Sequence, residues 1–175
     1  MDPTVELLTV PADYGTPRRM LAWADVSRRL TEAPQYWLTT VRPDGRPHVV
    51  PTDGVWMDQA LYLGGSTDSV HYRNLGRTAS VVVHLEDAMR AVIVEGVAEP
   101  VTPGRELARR LARESNAKTG YGAPVAMFQA PMWRIRPVRV LAWTSFPTDA
   151  TRFRFGREPQ AQGGGCLSPP RLTLR

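Results

Sequence analysis

With 175 residues, of which 42% are hydrophobic, the chain holds enough apolar material for one domain with a real core. Its formal net charge of +5 is almost wholly arginine, since Lys118 is the only lysine. These cations are scattered and form no block, so they suit an anionic small ligand as well as nucleic acid, and no nucleic-acid partner is expected. A single cysteine, Cys166, excludes an intrachain disulfide and suits a reducing compartment. The opening MDPTVELLTV carries acids where a signal peptide needs basic residues, and no apolar run reaches the roughly 20 residues of a membrane-crossing helix. The expectation is a cytoplasmic protein with no membrane partner.

Residues 1–17 read as an extended arm. WADVSRRLTEAP then predicts a short amphipathic helix, with Asp25 as its cap, Val26, Leu30 and Ala33 on one face, and Pro34 as its stop. YWLTTVRPDGRPHVVP predicts a hairpin, because two β-rich runs flank Pro43-Asp44-Gly45, which suits a type I turn followed by a left-handed glycine. Pro47 and Pro51 cannot donate to a ladder, so an irregular edge or a bulge is expected there, with backbone groups left free for a ligand. A turn at Met57-Asp58-Gln59 leads into ALYLGG. In GGSTDSVHYRNL, Ser66 or Thr67 caps a helix running to about Leu75 that buries Val70 and Leu75. ASVVVHLE and RAVIVEGVAEPV predict two more strands. TPGRELARRLARESNAKTG predicts a helix capped by Thr102, with Pro103 in its first turn, Leu107 and Leu111 inward, and Gly120 past its end. MWRIRPVRVLAWTSF predicts two strands divided near Pro137. From about Pro147 the composition turns to Gly, Pro, Arg and Ser; DATRFRF alternates like a short edge strand, and AQGGGCLSPP has the composition of a disordered end. The sum is a mainly β, α+β chain of about six antiparallel strands with two or three short helices, closing as a small β-barrel. It divides into an arm (1–17), a barrel domain (18–146) and a C-terminal extension (147–175).

Few residues can carry chemistry. His48, His71 and His84 lack the spacing of a zinc site, and the Gly-x-Ser-x-Gly elbow, the Walker lysine loop and the Rossmann glycine fingerprint are missing. Cys166 sits in a tail unsuited to holding a nucleophile still. Enzymatic chemistry would therefore rest on a bound cofactor. Gly64–Leu75 admits two readings. In one, glycines after a strand let backbone N–H groups approach an anion, the start of a helix adds its positive end, Ser66, Thr67 and Ser69 add donors, and Arg73 grips a phosphate while Asn74 fixes the turn. In the other, the same residues are a glycine turn with hydroxyl caps and a surface arginine.

YWLTTVRPDGRPHVVP, ALYLGGSTDSVHYRNL and VEGVAEPV, in that order over roughly residues 20–145, resemble the pyridoxamine 5′-phosphate oxidase-like superfamily, and within it the actinobacterial flavin/deazaflavin oxidoreductases. The resemblance implies a split β-barrel homodimer that holds coenzyme F420, or alternatively FMN, in a groove between subunits. It implies an oxidoreductase in which hydride leaves ring carbon C5 of F420 for a conjugated small-molecule acceptor. The ring would lie against the backbone at Val50, Pro51 and Thr52. The family's Ser-x-Lys/Arg-x-Arg-Asn-Leu phosphate pattern reads here Ser69, Val70, His71, Tyr72, Arg73, Asn74, Leu75, with Ser66 and Thr67 as further donors. His71 replaces the usual cation, and a phosphate beside it would raise its pKa above roughly 6.5. Asp53 is a second departure: it either faces the ring, disfavouring an anionic reduced form, or closes a solvent-facing turn with Gly54. Trp56, Trp133 and Trp143 line the substrate side of the groove or, more simply, fill core and interface. Arg18, Arg19, Arg28 and Arg29 either attract the polyglutamate tail of F420 or are solvated. No catalytic acid or base and no metal ligand is assigned. Three rivals stand beside this reading. One is a cofactor- or haem-binding protein of the same fold, with His48 or His84 as axial candidates. The second is a true pyridoxamine phosphate oxidase, whose longer C-terminal substrate motif is missing here. The third is a basic nucleic-acid-binding barrel.

Overall fold

In the computed structural model, which describes residues 2–156, nine antiparallel strands and three α-helices follow the chain. They are β1 (Thr4–Leu7), α1 (Trp23–Glu32), β2 (Tyr36–Val41), β3 (Pro47–Thr52), β4 (Val55–Met57), β5 (Ala60–Leu63), α2 (Val70–Leu75), β6 (Ser80–His84), β7 (Val92–Val101), α3 (Arg105–Thr119), β8 (Met132–Ala142) and β9 (Thr151–Arg154). The sheet runs β1-β9-β8-β7-β6-β2-β3, with β5 joined to β8 on one side and β4 on the other, and it curls into an open, split barrel. The alternating strands turn Leu38, Val83, Val92, Val94, Ile135, Val140 and Phe153 inward, each fully or almost fully buried. Each such side chain contributes about 1.5–3 kcal/mol to folding. Helix α1 adds Val26 and Leu30, and the Tyr36 hydroxyl donates to the Leu30 carbonyl at 2.6 Å, tying the end of α1 to β2.

The split-barrel fold is the one expected, with nine strands in place of about six. Several local expectations change with it. Helix α1 begins two residues before Asp25, after Ala22, because Trp23 packs edge-on against Trp56 and Phe155 and that burial sets its start. Asp25 instead pairs with Arg28 at 2.9 Å. The β2–β3 hairpin forms as predicted, with Gly45 at φ 82° and the Arg42 N–H donating to the Arg46 carbonyl at 2.9 Å. Its register from Tyr36–Thr52 to Val41–Pro47 is unbroken, so the prolines cause no bulge. They are tolerated because β3 is an edge strand and both occupy rungs of one parity, facing away from β2. That outer edge therefore offers one N–H, that of Val49, between two prolines. The β4–β5 turn places Asp58 and Gln59 at φ 52° and 58°, the signature of a type I′ connection.

Pro137 does not divide two strands. β8 runs through it as one strand, and the register with β7 jumps from Glu95–Arg139 to Gly96–Pro137, so Val138 is the extra residue of a bulge. A Cβ on Gly96 would lie 2.6 Å from the Arg136 carbonyl oxygen and 2.9 Å from Ile135 Cγ2. Gly96→Ala is accordingly expected to cost about 1–3 kcal/mol, seen as a lower urea midpoint with unchanged slope. Helix α3 starts after Gly104, because Thr102 and Pro103 continue the extended path out of β7, and it ends as predicted at Gly120 in the left-handed region, φ 70°. The division expected at 146/147 cuts through the sheet. Strand β9 lies between β1 and β8 and buries Phe153 completely, so it is interior, and the arm supplies the edge strand β1. The expectation of a disordered end containing Cys166 lies outside the described residues.

Candidate functional site

Strand β5 ends at Leu63 and the chain turns through Gly64 and Gly65, the latter at φ 144°. A Cβ on Gly64 would meet nothing within 4 Å, and on Gly65 only His71 Nε2 at 3.8 Å, so the backbone here borders open space. Ser69 caps α2, accepting from the Tyr72 N–H at 3.4 Å. Ser66 and Thr67 do not cap it, because the turn uses them first: Ser66 Oγ accepts from the Asp68 N–H at 3.2 Å, and Thr67 stands exposed at the tip. Ser69 Oγ also donates to the Ser66 carbonyl at 2.8 Å and lies 3.3 Å from His71 Nε2. Arg73 is exposed and donates to the Asp68 carbonyl. Ser66, Ser69, His71 and Arg73 thus come together around two glycines. Asn74 is elsewhere: it is buried, and its Nδ2 donates to Thr40 Oγ1 at 3.0 Å, pinning α2 to β2.

Sequence reasoning did not join His48 to this group. It projects from β3 on the face of its partner Thr40, and its Nδ1 is buried without a hydrogen-bond partner. Burial, and then the charge of Arg42, push His48 below the ordinary 6.5; burial, and then His48, do the same to His71. The two imidazoles therefore favour neutrality in the chain alone, and a nearby anion would oppose that. For a cofactor phosphate this donor set fits: hydroxyls, an imidazole and a guanidinium beside open glycines.

The three residues expected at the ring divide between surfaces. Val50 packs on the core, Thr52 Oγ1 donates to the Asp53 carbonyl at 3.1 Å, and Pro51 turns outward. Asp53 takes the solvent-facing course, exposed and accepting from Gln35 Nε2 at 3.3 Å. The next residue is held by Lys118, whose Nζ donates to the Gly54 carbonyl at 2.7 Å and the Tyr36 hydroxyl at 3.3 Å. Burial lowers this ammonium to about 8, with Asp53 opposing the shift. A lone lysine in a helix gives no sequence signal of such a contact 64 residues away.

On the outward face of β2 and β3, a cleft of about 440 Å³ opens between the end of α1 and the loop joining β6 to β7. Pro51, Trp37 and Leu85 form apolar walls, and Arg29 and Arg90 reach it from either side. Trp37 lies flat against His84, ring centroids 6.4 Å apart. Of the expected tryptophans, Trp56 and Trp133 are buried in the core, and Trp143 packs edge-on against Phe146. Arg18 is exposed, Arg19 pairs with Asp149 at 3.1 Å, and Arg28 pairs with Asp25. Among the described residues no group of three or more His, Cys, Asp or Glu side chains could hold a metal ion, and no helix is long and apolar enough to cross a membrane.

Comparison with known proteins follows the same outline. The family model of pyridoxamine 5′-phosphate oxidase matches residues 23–144. A conserved hypothetical protein from Mycobacterium tuberculosis is similar at 24% identity and a TM-score of 0.62, over 73% of this chain and 89% of that one. A protein named F420 reductase is similar at 25% identity and a TM-score of 0.51, over 65% and 94%. HutZ, the haem storage protein from Vibrio cholerae, is similar at 20% identity and a TM-score of 0.53, over 69% and 91%. The first and third likenesses speak for the fold alone. No curated protein matches.

Proposed function

We propose that this chain, which belongs to the pyridoxamine 5′-phosphate oxidase family, binds a flavin-type cofactor and uses it to reduce a conjugated small-molecule acceptor. The observation that carries this reading is the convergence of Ser66, Ser69, His71 and Arg73 on the open glycine turn, with Thr67 as a further hydroxyl at its tip. The similarity to an F420 reductase favours coenzyme F420 over FMN. When bound, the reduced ring supplies the hydride; the chain's part is to hold it. Arg73 would exchange the Asp68 carbonyl for phosphate oxygens, and Asn74 would act through α2, holding that helix against β2. The free edge of β3 at Val50, Pro51 and Thr52 would carry the ring, with the Val49 N–H as its one backbone donor.

A second copy of the chain would complete the groove. Support for a homodimer is the outward row Val49, Thr39 and Val82 across β3, β2 and β6, in which Val49 is 49% exposed and which borders a shallow hollow of about 330 Å³. Parallel fluorescence titrations with F420 and FMN test the reading. Micromolar binding of one cofactor supports it, and binding of neither removes it. Binding of neither, joined to a Soret band on adding haemin, would favour the haem-binding alternative.

His71 gives this binding a pH dependence. In the free chain its pKa lies below 6.5, and a bound phosphate raises it, so binding takes up a proton. The added affinity is complete below the free-state pKa and is lost as pH rises through the bound-state value. Affinity is therefore expected to fall between mildly acid and mildly alkaline pH, and His71→Lys to flatten the profile. A wild-type profile already flat over that range would remove His71 from the phosphate site.

A further inference from the structure

We propose that the cleft between α1 and the β6–β7 loop binds a flat, conjugated carboxylate, with its acid group held by Arg29. The proposal deepens the reductase reading, because it names the acceptor's chemical class, and it rests on that reading for the ligand's conjugation and for calling the bound acid an acceptor.

Arg29 Nη1 is buried and has no hydrogen-bond partner among the described residues. The neighbouring cations differ: Arg28 has Asp25 and Arg19 has Asp149. Burial, followed by the like charge of Arg90, lowers the Arg29 pKa from its ordinary value, against the pull of Asp87 and Asp149. No carboxylate of the cleft hydrogen-bonds this nitrogen. Asp87 Oδ1 accepts from the N–H groups of Met89 and Arg90 at 2.9 and 3.1 Å, and Glu32 and Glu86 stand exposed on its lining. A buried guanidinium nitrogen without an acceptor costs stability, and a ligand carboxylate would satisfy it, matched by the planar fork that arginine presents.

The rest of the cleft suits the remainder of such a molecule. Its volume of about 440 Å³ accommodates a small ligand, and Trp37, Pro51 and Leu85 give an apolar wall around the polar anchor. Pro51 also belongs to the strand whose free edge would carry the cofactor ring, so a molecule in the cleft would adjoin that edge.

The test is a ligand-observed NMR titration of the full chain with cinnamate and, separately, with uncharged cinnamamide. Cinnamate is expected to bind about tenfold or more tightly than the amide, and Arg29→Gln to abolish that difference. Trp37→Ala is expected to weaken both ligands, and Arg90→Gln to weaken cinnamate to a smaller extent. The thermal midpoint of Arg29→Gln should equal or exceed that of the wild type, since it removes an unsatisfied charge. Equal binding of acid and amide, unchanged cinnamate affinity in Arg29→Gln, or a clearly lowered midpoint would each overturn the proposal. Two further arms separate its parts. Unchanged F420 affinity in Arg29→Gln assigns the acid to a separate small molecule, whereas a parallel loss of F420 affinity overturns that and gives Arg29 to carboxylates of the cofactor. Cinnamate binding that persists when neither cofactor binds would sink the reductase reading and leave the carboxylate site standing.

Discussion

Asp149→Ala is expected to lower the unfolding free energy by about 2–3 kcal/mol. The Asp149 side chain is completely shielded from solvent. It accepts from the Thr144 and Ser145 N–H groups at 2.9 and 2.8 Å, from the Thr144 hydroxyl, and from Arg19 at 3.1 Å. Alanine leaves the part-buried Thr144 and Ser145 N–H groups without their acceptor, while the largely exposed Arg19 loses little. The adjoining backbone is where the N-terminal arm docks: Arg18 and Arg19 donate to the Thr148 carbonyl at 2.8 and 3.2 Å, and Leu8 to Ala150 at 2.8 Å. Faster tryptic cleavage after Arg18 and Arg19 should therefore accompany the lower urea midpoint. The pH dependence has a definite sign. Burial pushes this carboxyl up, but the donors outweigh it and hold the native value at about 2, below the ordinary 3.8. The stabilisation is thus present above the unfolded-state value and disappears as pH falls from there through about 2. Wild type and variant should converge in stability as acid is added; a constant gap down to pH 2 would contradict this account.

Arg73→Ala is expected to weaken cofactor binding roughly 10- to 100-fold, the range of a lost charge-assisted phosphate contact. Stability should change by no more than about 0.5 kcal/mol, because Arg73 is exposed and donates only to a backbone carbonyl of its own turn. The pairing of these outcomes distinguishes a ligand contact from a structural one. Asn74→Ala provides the contrast, since Asn74 is buried and bonded to Thr40, and its loss should appear first in the denaturation midpoint. Arg73→Lys should recover part of the affinity by charge, though not the two-pronged geometry. An Arg73→Ala variant that binds F420 and FMN like the wild type would place the phosphate elsewhere.

Much of the barrel was legible because several of its strands are rich in β-branched residues and its hairpin has a distinctive turn. Tyr36–Val41, Ser80–His84 and Val92–Val101 each carry enough β-branched or aromatic residues to be read as strands, and Asp44-Gly45 dictates where the chain reverses. The donors of Ser66–Asn74 stand in the sequence, but only the fold gathers Ser66, Ser69, His71 and Arg73 at one turn and sends Asn74 to Thr40. By contrast, β1 and β4 span four and three residues, too few for periodicity to declare itself, and the alternation of DATRFRF revealed β9 as a strand but not its interior place between β1 and β8. Helix starts also escaped local reading: Asp25, Thr67 and Thr102 are all good caps, yet packing by Trp23, the turn at Ser66 and the exit of β7 set the first helical residues instead.

The sequence alone thus determined what depends on neighbours along the chain: the β-rich strands, the hairpin, and the order of donors after Gly64. Tertiary structure alone decided which chemically identical residues differ in state. Four arginines, Arg18, Arg19, Arg28 and Arg29, are indistinguishable in composition, yet only folding brings Asp149 to Arg19 and leaves Arg29, which lines the cleft of Trp37 and Pro51, with its Nη1 buried and unpartnered among the described residues. The physical reason is that burial and pairing are relations between distant segments, and local propensity carries no record of them.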